Sequence, residues 1–307
     1  MKERMQRHHV LVMAIFFVLM CITPSLGAEF QKLSDAVYVN CGETSPSPAN
    51  SFGSNQGVVI GDRDVLVVDA FSTPSEAKKT IDFIKSVTPK PIRYLVLTHF
   101  HFDHSIGAKT FTDIGALMIA HENFRPNMER TAENITGFLK SIGYTDEMIK
   151  GVSVVYPNFT FSKTMNIDLG GITVNLVYVD KGHSPDNILV FVPSEHLVFT
   201  GDILFKDYHA YLGAADVPGW KNNLDYLIAS GVEKAVPGHG PLASKMDFVE
   251  QKDYITLFDA KAKELLAVDA DIDKAAAELA SILPKRPIGA WMIKSSLALK
   301  YGSVKKK

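Results

Sequence analysis

One stretch limits this chain more than any other. In LTHFHFDHSIG, Leu97 to Gly107, the residues His99, His101, Asp103 and His104 follow directly on the apolar run IRYLVL. Side chains of an extended segment alternate in direction, so His99 and His101 point to one side. Asp103 and His104 lie one turn further on and can reach a neighbouring point. Imidazole nitrogens with a carboxylate form a ligand set suited to zinc. An ordinary polar turn after a buried strand accounts poorly for so much imidazole in so short a segment.

The surrounding pattern puts this stretch at the carboxyl end of a strand. NQGVVIGDRDVLVVDAF holds two β-branched runs joined by GDRD, a hairpin signal. PSEAKKTIDFIKSVT then reads as a helix, with Pro74 and Ser75 as start signals and Ala77, Ile81 and Ile84 near helical spacing. With IRYLVL after it, the order strand, helix, strand is that of a crossover unit. Such sheets place their chemistry in loops at carboxyl strand ends. ALMIAH, MNIDLGGITVNLVYVD, NILVFVP, HLVFTGDILF and KAVPGHG supply further strands, with Glu122 to Lys150 helical or irregular and a helix at about 220–230. The similar order in both halves predicts two sheets packed face to face and flanked by helices. Beyond 245, MDFVEQKDYITLFDAKAKELLA and DIDKAAAELASIL are rich in helix formers. We read 29–245 as the main domain and 246–307 as a C-terminal helical extension packed on it.

A metal pair needs more ligands than one segment provides. His183 in DKGHSPDN, Asp202 in FTGDILF and His239 in VPGHGP each follow an apolar run, with glycine adjacent or one residue away. Singly they read as turn residues or a cap. Together with the first four they supply seven ligands of suitable type.

Other features bound the function. The 307 residues carry a net charge of −2, so the basic excess that drives nucleic-acid binding is missing and no nucleic-acid partner is expected. The chain begins MKERMQRHHVLVMAIFFVLMCITPSLGAEF: basic residues, an apolar run from Val10 to Ile22, then small residues. This is the layout of a secretory signal peptide over 1–28, shorter than the roughly 18 apolar residues of a membrane span. The expectation is a periplasmic or secreted protein without stable membrane insertion once the signal is cleaved. Cys21 would leave with the signal, and Cys41 alone can form no internal disulfide; it reads as a spectator thiol. His121, His196 and His209 read as turn or supporting histidines, and Asn187 as closing the turn after Pro185. Phe100 and Phe102 read as packing beside the cluster, and Tyr208, Tyr211 and Trp220 as core or pocket wall.

THFHFDH, GHSPDN, TGD and PGHG, in this order and spacing, resemble the metallo-β-lactamase-fold hydrolases over roughly residues 29–244. The resemblance implies an α/β fold, an αββα sandwich of two mixed β-sheets flanked by helices. It implies a first Zn2+ on His99, His101 and His183, a second on Asp103, His104 and His239, and Asp202 bridging both. Asp69 in LVVDAF matches an aspartate at the end of an early strand that braces the metal loop. The implied reaction is attack of a metal-bridging hydroxide on the carbonyl of a small-molecule substrate, with Asp103 catalytic, orienting the hydroxide or relaying a proton. Iron or manganese suits the same ligand types, although flavin-linked di-iron relatives usually carry glutamate in place of His101.

Within that family the signals divide. KGHSPDNILVFVP looks close to the zinc β-lactamases, but Asp202 departs from their patterns, and Lys206 is one position away from a lactam-carboxylate lysine. SNQGVVIGDRDVLVVDA looks most like exported proteins of sulfur-oxidation or quinoprotein-associated clusters. LPKRP is a poor match for the glutathione-binding basic cluster of a glyoxalase II. The leading expectation is an exported zinc hydrolase of a lactam, lactone or thioester. The alternative is a metal-binding accessory protein of a periplasmic respiratory or sulfur-oxidising system, with little turnover.

Overall fold

The computed structural model describes residues 30–269 and 271–302. The segment read as a signal peptide, with Cys21, lies outside the described residues. The first sheet runs, in spatial and chain order alike, β1 (Gln31–Lys32), β2 (Val37–Asn40), β3 (Gln56–Ile60), β4 (Val65–Val68), β5 (Ile92–Val96), β6 (Leu117–His121) and β7 (Phe159–Phe161). It is antiparallel up to β4 and parallel from β4 to β7. The second sheet has the order β12-β11-β10-β9-β8, built from β8 (Thr164–Asp168), β9 (Thr173–Val177), β10 (Leu189–Val192), β11 (Leu197–Phe205) and β12 (Lys234–His239). Only its β11–β12 pair is parallel.

The period-two side-chain alternation of a strand decides the layers. In β3 and β4, Val58, Val65 and Val67 face outward to a helix layer, whereas Val59, Leu66 and Val68 face the second sheet. There they meet Val174, Leu176, Val190, Leu197 and Phe199. Strands buried on both faces read as continuous apolar runs, as these do. On the first sheet's outer face lies α1 (Pro74–Val87), which presents Ala77, Ile81 and Ile84. Thr73 caps it, accepting from the Glu76 amide, and Pro74 takes the first-turn position where no amide is missed. The short helices α2 (Phe102–Ser105), α3 (Ala108–Thr112), α4 (Phe124–Ala132) and α5 (Ile135–Ser141) follow on this side.

The second sheet's outer face is covered by α6 (Val217–Ala229), α7 (Lys245–Val268), α8 (Ile272–Ile282) and α9 (Trp291–Ser296). Helix α6 begins before the expected Trp220, because the Asp216 side chain caps the Gly219 amide and Pro218 fits the first turn. The result is the expected αββα sandwich. Helices α7 to α9 belong to the second sheet's core, where Phe248, Tyr254, Ile255 and Phe258 pack with Val198, Leu204 and Trp220. Among the described residues, no helix is long and apolar enough to cross a membrane.

Candidate metal centre

The parallel pairs β4–β5 and β11–β12 deliver their carboxyl ends to one rim of the sandwich. There the seven predicted ligands converge. His99, His101, His183 and Asp202 form one group and Asp103, His104 and His239 another, the candidate ligand atoms of each lying within 4.8 Å of one another. All are buried except His101, which is half-buried.

In the first group His101 Nδ1 lies 3.1 Å from His99 Nε2 and 2.8 Å from His183 Nε2. The far nitrogens are already engaged: His99 Nδ1 with Thr98 Oγ1 at 3.1 Å, and His183 Nδ1 with the Tyr211 carbonyl at 3.0 Å. These contacts fix which ring nitrogen faces inward. Burial holds His99 well below the ordinary histidine range, lowers His101 and brings His183 to about 3. His99 and His183 therefore turn their Nε2 toward the point that His101 Nδ1 also faces.

In the second group His239 Nε2 lies 3.2 Å from Asp103 Oδ2, and His104 Nε2 3.7 Å from the same oxygen. Asp202 stands between the groups and divides its oxygens. Oδ2 is 3.2 Å from His183 Nε2 and 3.7 Å from His99 Nε2, while Oδ1 is 3.1 Å from His104 Nε2 and 3.5 Å from His239 Nε2. Both Asp202 Oδ1 and His104 Nε2 are buried atoms without a hydrogen-bond partner. His104 turns its Nδ1 to Asp69 Oδ2 at 2.8 Å, so its Nε2 faces the Asp202 carboxylate, where a proton or a cation must stand between them. A cation between them satisfies both, so the donor set fits a metal. Burial pushes His104 down, but the carboxylates of Asp202, Asp103 and Asp69 hold it well above its ordinary value, a field that favours positive charge.

Asp69 directly follows β4 and accepts from the Thr98 amide at 2.7 Å and from Thr98 Oγ1 at 2.8 Å, besides its contact with His104. It thereby ties the segment bearing His99 to the ring of His104. Asp202 lies within the nine-residue β11, inside the HLVFTGDILF run read as a strand, and not in a short loop after HLVF. The β11–β12 register shifts on either side of Gly201, so the ladder opens where the carboxylate must turn inward. Next to His239, a Cβ on Gly238 would collide with Asp202 Oδ1, which is why glycine precedes this histidine.

The other singled-out residues divide. His121 stacks on Tyr178 at 3.8 Å, His209 Nδ1 bonds Tyr254 Oη at 2.8 Å, and His196 takes a left-handed turn; none joins either group. Asn187 Oδ1 accepts from the Ser184 amide and closes the turn. Cys41 is half-buried, and burial raises its thiol pKa. Trp220 and Tyr208 are buried supports beside His183 and His239, whereas Phe102 and Tyr211 line the cavity over the centre. Lys206 Nζ donates to the Leu242 carbonyl at 3.0 Å and pairs with Asp247 at 3.3 Å. Arg286, in LPKRP, donates to the carbonyls of Phe205 and Tyr208 and lies 4.0 Å over the Tyr254 ring. Sequence reasoning missed Ser54 and Asn55. Ser54 Oγ donates to the Asp103 carbonyl, and the Asn55 side-chain amide to the carbonyls of Pro237 and Gly240, tying the two ligand loops together.

Residues 49–239 match the model of the metallo-beta-lactamase superfamily. The chain is 26% identical to the metallo-beta-lactamase type 2 of Bacteroides fragilis over 214 residues, 68% of this chain and 78% of that one. It is 22% identical to a linear primary-alkylsulfatase of a Pseudomonas species over 219 residues, 61% of this chain but 41% of that one. The solved metallo-beta-lactamase of Pontibacter korlensis shares the fold, with a TM-score of 0.60 at 20% identity over 74% of this chain and 98% of that chain. On the matched motifs, the layered fold and the paired ligand groups, the chain belongs to the metallo-beta-lactamase superfamily.

Proposed function

We propose that the protein is an exported hydrolase that uses two zinc ions to open a small carbonyl compound: a lactam, lactone or thioester. The observation that carries this reading is the Asp202 carboxylate, whose two oxygens face two separate histidine groups. His99, His101 and His183 would hold one ion, Asp103, His104 and His239 the other, and Asp202 both. Ions so held would supply an acidified water and an electrophile for the substrate oxygen. The chain's own residues do the rest. Asp103 is on the cavity wall beside His239, placed to take up a proton and pass it to the leaving group. Asp69 and the Tyr211 carbonyl keep the rings of His104 and His183 oriented.

The centre lines an open cavity of about 530 Å³, whose wall includes His101, Asp103, His183, Asp202 and His239. That favours turnover over a closed accessory role. Export rests on the N-terminal basic, apolar and small-residue sequence. Metal analysis of the mature protein is expected to give two zinc ions per chain. Asp202→Asn should lose at least one of them and lower ester or lactam hydrolysis by more than about a hundredfold. Hydrolysis that survives complete chelation would sink this reading.

A further inference from the structure

Away from the ligands, the cavity wall is largely apolar, Ser295 being a polar exception. Phe52, Phe102, Phe138, Tyr211, Trp291 and Leu299 form most of it. The rings make a connected surface: Phe52 lies 5.9 Å from Phe102 and 6.4 Å from Trp291, and Phe102 lies 5.3 Å from Phe138. Trp291, Leu299 and Phe138 are 53%, 62% and 40% exposed, so the apolar wall continues out to the rim. Among the described residues, no lysine or arginine lines this cavity. Cations on the neighbouring segments are turned elsewhere: Lys206 to Asp247, Lys140 to Asp146, Lys294 to Asp273 and Lys300 to the Ala215 carbonyl. A second anionic group on a substrate would be desolvated here without a partner, which is costly. An alkyl or aryl group would cover surface that water now meets.

We infer that this site takes substrates whose scissile group carries an uncharged apolar chain or ring, laid along the wall toward Trp291 and Leu299, and that it selects against a second anionic group beside the bond. The inference rests on the hydrolase reading above, which it narrows to a substrate class. An alkyl tail can belong to a carboxylic ester, a lactone or a sulfate ester, so the test includes more than one head group.

The metal-loaded full chain is assayed with p-nitrophenyl acetate, butyrate and octanoate, with octyl sulfate, and with benzylpenicillin as the anionic comparison. kcat/KM is expected to rise by about threefold per added methylene, and benzylpenicillin to be the poorer substrate by at least about tenfold. Trp291→Ala and Leu299→Lys should each lower the octanoate-to-acetate ratio by at least about tenfold. A binding measurement needs neither metal nor turnover. Of the two tryptophans, Trp220 is buried and Trp291 half-exposed, so octan-1-ol added to metal-free protein should give a saturable blue shift of emission that Trp291→Phe removes. A flat chain-length profile, preference for benzylpenicillin, or no saturable shift would overturn the inference. Saturable octanol binding with no ester or lactam turnover would support the apolar site and overturn the hydrolase reading. Turnover of octyl sulfate in place of octanoate would support the tail assignment and overturn the carbonyl head group.

Discussion

Two buried carboxyls, Asp69 just beyond β4 and Glu76 in the first turn of α1, illustrate how much one side chain can control. Asp69 has three donors around it and serves the metal loop. Glu76 is held mainly by hydroxyls: Ser51 Oγ reaches both of its oxygens at 2.8 Å, and Thr73 Oγ1 reaches Oε2 at 2.8 Å. Ser51 and its neighbour Phe52 sit at φ 49° and 54°, a region costly for residues other than glycine. Glu76 thus pins a strained turn whose Phe52 forms part of the cavity wall. Burial pushes Glu76 up to about 7, against the weaker downward pull of Thr73 and Ser51. Between about pH 4.5 and 7 the folded chain keeps a proton that the unfolded chain has released, so stability falls as pH rises through that window, by up to roughly 3 kcal/mol. Glu76→Gln removes the titrating group. Urea unfolding at pH 5 and pH 8 should show the variant gaining on the wild type at the higher pH; a difference between the two proteins that does not change with pH would count against this account.

At the scale of the element, β11 is the strand that had to do two things. Its apolar residues close the core, and its Asp202 must turn toward the histidines. Gly201 permits both. Its φ is 48°, and a Cβ there would stand 2.6 Å from Thr98 Oγ1, the hydroxyl between Asp69 and His99. Gly201→Ala should therefore cost about 1–3 kcal/mol in denaturant unfolding and weaken metal retention in a chelator competition, whereas an unchanged transition and unchanged retention would show that the network tolerates displacement of Thr98. Elements with strong periodicity were legible in the sequence: the β3–β4 hairpin, α1 after its Pro74, and the apolar run leading to His99. The carboxylate of Asp202 was legible as a ligand type from TGD and the strand from HLVFTGDILF, but not the opening of the ladder beside it, because a register shift is set by the neighbouring β12 and leaves no local signature. Phe52, Trp291 and Leu299 were illegible as wall residues for a similar reason. Which apolar residues of a helix meet a cavity built elsewhere in the chain depends on how whole layers dock.

Across the whole molecule, the candidate ligands from one half of the chain meet those from the other only where the rims of two sheets coincide. His99 to His104 belong to the first half, and His183, Asp202 and His239 to the second. The second sheet can hold its position only if its outer face is covered, and α7, α8 and α9 supply much of that cover. Phe248, Tyr254, Ile255, Phe258, Leu279 and Leu297 are buried there, each worth about 1.5–3 kcal/mol of apolar burial. Their sum is comparable to the roughly 5–15 kcal/mol by which a whole domain is stable. The same segment reaches back by hydrogen bonds, Arg286 to the carbonyls of Phe205 and Tyr208 just beyond Asp202, and Ser296 Oγ from the Leu212 amide. A chain ending at Ser244 keeps every candidate ligand and is nevertheless expected to lose cooperative unfolding and near-ultraviolet circular dichroism. If it retained a sharp transition and bound two zinc ions, the second sheet would have to be stable with α6 alone on its outer face, and the helical segment would then serve the cavity wall only.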